Sequence, residues 1–319
     1  MTLLALLVVT ALAIVWLRDL FAAVMVAGIY GLLSASFFVS MDAVDVAFTE
    51  AAVGAGVFPL LMLAALAITG RYEDTRHKRQ LSSLVLVLVT GAMLIVATWD
   101  MPPFGAADAP AHQHLAVRYI QDSPQEVGIP NMVTSVLASY RGYDTLGEVA
   151  VVFTAVVGVL CLLSLGRGTT QSSGPAAMQG HVVLRVVGKI LIPLILLFAL
   201  YVQFHGEYGP GGGFQAGVIF AAGIILYTML FGLDSARRVV KPTLLRVLAA
   251  LGLLLYGSVG VVSLVAGGNF LDYSVLAGDP VAGQHLGILV IELGVGVTVA
   301  AAMILIFYAF ADRGGDGGA

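Results

Sequence analysis

The stretch 284-QHLGILVIELGVGVTVAAAMILIFYAFA-311 decides the fold. It carries a single Asp, Glu, Lys or Arg, Glu292, in a run long enough to cross a hydrocarbon core about 30 Å thick at about 1.5 Å per residue. Working outward, the same test finds about nine apolar runs, approximately 3–17, 20–39, 46–69, 81–98, 146–165, 182–203, 214–233, 243–266 and 284–311. The expected class is all-α, a polytopic membrane helix bundle. Composition agrees: 59% of residues are apolar and 11% are charged, against about 25% charged in soluble domains. A net charge of −4 without a dense basic patch excludes a nucleic-acid binder. Cys161 is the single cysteine, so the chain holds neither an internal disulfide nor an iron–sulfur cluster, and no cofactor is expected. The run 3–17 is the shortest. With no basic segment before it, it reads as a retained helix rather than a signal peptide.

Lys and Arg set the orientation, because they are kept in cytoplasmic loops. If about nine spans alternate, Arg18, Arg71, Arg76, Lys78, Arg79, Arg167, Arg185, Arg237, Arg238, Lys241, Arg246 and Arg313 share one face, which is twelve of the fifteen basic residues. Arg118 and Arg141 fall opposite, and Lys189 lies within a span. The expectation is N-out, C-in, in a bacterial or archaeal cytoplasmic membrane. Asp42, Asp45, Asp100, Asp108, Asp122, Glu126, Glu207, Asp272 and Asp279 make the outer face acidic, a surface that attracts cations.

Composition divides the chain into a three-span region 1–79, a two-span region 80–166, a polar linker 167–181 and a four-span region 182–319. The long outer segment of the second region repeats Met132, Val133, Val136, Leu137 and Tyr140 at helical spacing, and more weakly Leu115, Tyr119 and Ile120. This reads as amphipathic helices on the outer membrane surface.

An ionisable group in a membrane span costs at least about 2.5–3.5 kcal/mol on insertion scales, so it either pairs or lines a pathway. Lys189 lies about 12 Å into its span by helical rise. It is either a snorkelling side chain or a relay lysine, and Pro193 leaves its carbonyl without the usual donor. Glu292 lies at similar depth from the outer end, with His285 two turns further out. Whether Lys189 and Glu292 pair is left open by sequence. Glu50 stands in 48-FTEAAVGAGVFP-59, where two glycines weaken the helix and Pro59 frees the carbonyl of Ala55. A π-bulge or broken turn is expected there, with room for transient Na⁺ near Glu50 and Ala55. Glu148 ends 145-TLGE-148, which matches a capping box, and it can both cap and receive a proton. No resident metal site is expected.

The segment 205-HGEYGPGGGFQAG-217 lacks the lysine of a nucleotide loop, and its glycines permit a tight turn with close backbone approach. This segment resembles the signature of the B-type component of Mrp-type Na⁺/H⁺ antiporters, and the four-span region with Glu292 fits that component throughout. The first region, around 48-FTEAAVGAG-56, is similar to the C-terminal extension of the large A-type Mrp component and to the D-type component of membrane-bound hydrogenases. The second, with 131-NMVTSVLASYRGYDTLGE-148, is similar to the E-type component of those systems. The first five spans also resemble the complex I component that carries a π-bulge in its third helix. The resemblance implies a non-enzymatic part of a multi-subunit complex. Its partners would be the antiporter-like A-type and D-type components and the small C-, E-, F- and G-type components, and it would handle Na⁺ and H⁺ in the lipid bilayer. By the same match Glu50 and Glu148 are the candidate coupling-ion residues. The long antiporter-like part of an A-type component is missing, so the chain is not a complete antiporter. The same regions also fit a redox-driven complex such as a membrane-bound hydrogenase, and a purely structural scaffold is the third reading.

Overall fold

The computed structural model describes residues 1–74, 81–103, 105–164 and 182–313. The linker 167–181 and Arg76, Lys78, Arg79 and Arg167 lie outside the described residues. Among the described residues nine long apolar helices follow in order: α1 Thr2–Trp16, α2 Leu20–Ser40, α3 Val44–Thr69, α4 Leu81–Trp99, α5 Gly142–Ser164, α6 Val182–His205, α7 Gly213–Phe231, α8 Pro242–Val265 and α9 Pro280–Arg313. Eight of these are long and apolar enough to span a membrane. The exception is α1, whose 15 residues reach only about 22 Å at about 1.5 Å per residue. The all-α bundle is therefore as expected, with eight helices of spanning length among the described residues where about nine were expected.

The expected irregularity in α3 is a π-helical segment, Ala51–Val57. Pro59 cannot donate to Ala55, and its ring crowds that carbonyl in a regular α-helix, so widening the turn relieves the clash. Gly31 of α2 lies so close to the backbone of Gly54 that a Cβ there would stand 2.6 Å from the Gly54 carbonyl carbon. A small residue at the contact lets α2 support the widened turn directly.

The segment before α5 departs from expectation. Instead of lying on the membrane surface, its second half folds inward, burying Val127, Ile129, Asn131, Thr134, Ser135 and Ala138. A second π segment, Ser135–Tyr140, leads into α5. Two buried tyrosines satisfy carbonyls that this irregular stretch exposes: Tyr273 donates to Ala138 at 3.0 Å and Tyr256 to Gly142 at 2.7 Å. The capping box is not formed. Helix α5 begins at Gly142, ahead of Thr145, whose hydroxyl donates back to the carbonyl of Leu137 at 2.7 Å.

Helix α9 is the central post, contributing to both apolar clusters. One joins it to α5, α7 and α8 through Val156, Ile225, Leu245 and Leu305. The other joins it to α3 and the inward-folded segment through Val57, Ile129, Ile291 and Val295. In contrast, none of α4 is buried. Ion pairs fasten one end of the bundle, with Arg71 on Asp19 at 2.7 Å and Arg237 on Asp312 at 3.0 Å. The Arg71 guanidinium also holds the Asp19 carboxyl below its ordinary range. This is the basic end; the loop 206–213 marks the opposite one.

The α8–α9 crossing depends on missing side chains. A Cβ on Gly252 would stand 2.9 Å from the Thr298 amide nitrogen and would collide with its hydroxyl, whereas Gly257 faces open space. Gly252→Ala is expected to cost roughly 1–3 kcal/mol through overpacking. Gly257→Ala should be neutral or stabilising by up to about 1 kcal/mol. Thermal unfolding of the two purified variants in one detergent checks the contrast.

Candidate functional site

The site forms where the three sequence regions meet. Between α6 and α7 the chain turns at 206–213 with its backbone nearly touching itself: a Cβ on Gly206 would lie 2.8 Å from the Gly212 Cα. Gly212 has φ +109°, a conformation that L side chains rarely adopt, and its amide donates to Val202 at 3.0 Å. The carboxylate of Glu292 fills the space two side chains would need. Its Oε2 lies 3.1 Å from a Cβ on Gly206, and its Oε1 3.0 Å from one on Gly212. Gly212 is also the residue that opens α7, so the carboxylate stands at the end of a 19-residue helix whose free amides favour negative charge.

Asn131 locks the turn. Its side-chain amide donates to the carbonyls of Gly206 and Gly209, both at 3.0 Å, and reaches Asp45 of α3 at 3.4 Å. The Thr134 hydroxyl donates to Gly206 at 2.6 Å, and the Gly211 amide to Asp45 at 3.4 Å. Beside this knot lies a cavity of about 300 Å³ lined by Asp45, Thr49, Glu148, Gln215 and Glu292. Gln215 donates to the Thr49 hydroxyl at 2.8 Å, which ties α7 to α3 across it. Three carboxylates from three regions thus border one cavity at the glycine end of the bundle, set in a lining that is otherwise largely apolar, with Val133, Phe214 and Ile291 among it.

The sequence-predicted residues divide accordingly. Glu148 and Glu292 meet at the cavity. His285 sits on its flank, with Nδ1 3.1 Å from Glu207. Glu50 does not line the cavity: its carboxylate folds back on Gly54 of the π segment, where a Cβ would stand 2.9 Å from the Glu50 Cδ. Lys189 is remote from Glu292. Its ammonium stacks on Phe231 at 5.9 Å, beside Arg185 at 5.4 Å, toward the basic end of α6 and α7. The two therefore do not pair. Sequence reasoning missed Asp45, counted only as one acid of the outer face, together with Asn131 and Gln215. The available signals were a polar side chain inside an apolar run for Gln215, and the first position of the 131–148 motif for Asn131.

The architecture and this site define a polytopic membrane protein whose polar groups gather at one end of the bundle. Residues 183–305 match the family described as a domain related to the MnhB subunit of Na⁺/H⁺ antiporters. Residues 5–71 match the MbhD family and residues 78–179 the MbhE family, both described as subunits of MBH. A Staphylococcus aureus (strain Newman) protein, the putative antiporter subunit mnhB2, is 34% identical over 131 residues, covering 38% of this chain and 92% of that protein. A Rhizobium meliloti protein described as a probable A/B-type component of a K⁺/H⁺ antiporter is 26% identical over 326 residues, covering 92% of this chain. This chain spans 32% of the length of that relative. A chain in the structure of the Mrp complex from Dietzia sp. DQ12-45-1b superposes with a TM-score of 0.78 at 29% identity, over 100% of this chain and 35% of that one. One in the membrane-bound sulfane sulfur reductase, an archaeal respiratory complex, gives 0.56 at 28% identity, over 72% of this chain and 96% of that one. The chain belongs to the MnhB family of Mrp-type antiporter subunits, here fused behind MbhD- and MbhE-type regions.

Removing the Asn131 amide leaves the Gly206 carbonyl with Thr134 alone and takes the side-chain donor from the Gly209 carbonyl, at a cost of about 1–3 kcal/mol for a group left without a partner. Asn131→Leu should therefore keep the helices and loosen the loop. Hydrogen exchange should show faster exchange at Gly211 and Gly212 with α8 unchanged; equal protection in both proteins would contradict the assigned lock.

Proposed function

We propose that this chain is a membrane subunit of a multi-subunit Mrp-type monovalent cation/proton antiporter, with its N-terminus outside and its C-terminus in the cytoplasm. It carries no bond-making chemistry of its own. Regions 1–79, 80–166 and 182–319 act as one unit that bridges the antiporter-like A-type and D-type components to the small ones. The observation that carries this reading is the cavity where Asp45, Glu148 and Glu292 converge, one from each region. A cavity in which carboxylates, a hydroxyl and an amide stand among apolar side chains offers oxygen ligands to a partly dehydrated Na⁺ and alternative seats to a proton. Exchange needs that competition, because a site that holds either ion but not both couples their movements. Glu50, beside the π segment, lies on the path that continues from this site into the neighbouring component. Lys189 faces the neighbour on the basic side.

The likeness to the sulfane sulfur reductase and to the hydrogenase-type regions supports a second reading, the same ion-handling unit in a redox-driven complex. Co-purifying proteins separate the two: antiporter-like and small hydrophobic chains alone favour the antiporter, and cluster-binding chains favour the redox complex.

The expected result in vesicles containing the assembled complex is that Glu292→Gln and Asp45→Asn each lower Na⁺-driven proton exchange by about tenfold or more. Full exchange by both assembled variants would leave only the scaffold reading.

A further inference from the structure

The loop 206–213 gives Glu292 two flanks. On one lies the cavity with Asp45, Glu148, Thr49 and Gln215. On the other, Glu207 projects from the loop to Nδ1 of His285 at 3.1 Å. The pair is open to the glycine end, with side-chain exposures of 36% for His285 and 17% for Glu207. We propose that His285 and Glu207 form a proton port to Glu292 separate from the cavity, so that protons and cations reach the carboxylate from opposite sides of the glycine loop. This rests on the antiporter reading above and adds to it the assignment of the two entrances.

The chemistry follows from the hydrogen bond. With Glu207 ionised and accepting, neutral His285 carries its proton on Nδ1 and leaves Nε2 as an acceptor. Nε2 lies 3.6 Å from where a Cβ on Gly128 would stand, in space that the Val281 side chain fills, so protons reach the ring through its solvent-exposed part. A proton taken up at Nε2 makes the imidazolium, and the Nδ1 proton then passes to the Glu207 carboxylate. The ring returns to neutral as the other tautomer, and rotation or re-equilibration with water resets it. Between Glu207 and Glu292 stands Gly206, and a side chain there would press to 3.1 Å of the Glu292 Oε2. With no side chain at Gly206 the Glu292 carboxylate packs against the loop backbone there, one residue from Glu207. Glu207 and Asp45, one on each flank, are also the charges within Coulomb reach of Glu292.

The other ionisable groups near the ring are committed elsewhere or lie on its own helix. Asp279 precedes α9 and accepts from the Ala282 amide at 2.9 Å. From the inward-folded segment packed against the ring, Glu126 is held by Arg118 at 3.3 Å and by the Tyr140 hydroxyl. Those contacts keep Glu126 below the usual carboxylate range, and burial and Glu126 push Tyr140 up to about 12. Neither Glu126 nor Tyr140 exchanges protons near neutral pH. Glu207 is the partner left to His285.

The test uses the assembled complex in vesicles, with initial exchange rates measured against both pH and Na⁺ concentration. His285→Gln and Glu207→Gln should move the pH of half-maximal rate downward by about one unit, a tenfold higher proton requirement, with the apparent KM for Na⁺ within about twofold of wild type. Asp45→Asn should do the converse, raising the KM and leaving the pH midpoint in place. Glu207→Asp, which keeps the carboxylate, should restore the midpoint, and co-purification of the other components reports assembly. If the midpoint stays put in His285→Gln and Glu207→Gln, or if Glu207→Asp fails to restore it, the port is wrong. Equal shifts of both parameters by Asp45→Asn and His285→Gln would mean one shared entrance and also overturn it. Full exchange by Glu292→Gln and Asp45→Asn would instead remove the antiporter reading itself.

Discussion

A turn of irregular backbone within a membrane-spanning bundle must find partners for its amides and carbonyls inside the protein, because hydrocarbon supplies none. Loop 206–213 meets that constraint by borrowing from elsewhere in the chain. Asn131 and Thr134 satisfy Gly206, Asn131 satisfies Gly209, and Asp45 accepts from Gly211. Each of these residues belongs to a different sequence region from the loop. The requirement to satisfy one turn is therefore what pulls the three regions together, and the cavity beside it is a product of the same convergence.

Glycine spacing then decides where the charge sits. Helices α7 and α9 approach through Gly213, Gly217 and Gly296; a Cβ on Gly217 would lie 2.7 Å from the Gly296 carbonyl. Small residues permit such approach in membranes, where packing rather than water exclusion holds helices together. Because that contact begins one turn from Glu292, it fixes the carboxylate under the loop rather than toward lipid. A larger residue at Gly213 would strike the backbone carbonyl of Glu292 and displace it. Helix packing and the position of this carboxylate are thus set by the same few glycines.

The helices were legible because a 30 Å apolar requirement leaves a one-dimensional trace in sequence, and the π segment because Gly54, Gly56 and Pro59 act locally. The site was legible only in part. Glu292 was singled out as a charge without a local explanation, and Glu148 through the resemblance, beside a capping-box reading that the fold does not form. Asp45 was passed over because a carboxylate near a helix start has an ordinary reading at the membrane interface. Its distinguishing contacts, to Asn131 and Gly211, are 86 and 166 residues away in sequence. The inward fold of the segment before α5 was hidden for the same reason. Helical spacing shows that one face is apolar but does not say whether lipid or protein covers it, and polar Asn131 and Thr134 on that segment had their partners in a loop of another region.

Lys189 shows what separation means for coupling. It lies 16 residues before His205, about 24 Å from the glycine end at about 1.5 Å per residue, and its ammonium rests on Phe231 beside Arg185. An aromatic face and a short reach to the basic end reduce the cost of placing it in the membrane without a carboxylate partner. Glu292 solves the equivalent problem differently, packed against Gly206 and Gly212 at the end of α7, where the free amides favour negative charge. One charge is held by exposure and the other by enclosure. The two charges are therefore set by different surroundings, and any coupling between them has to travel through the packing of α6, α7 and α9 rather than along a line of paired charges.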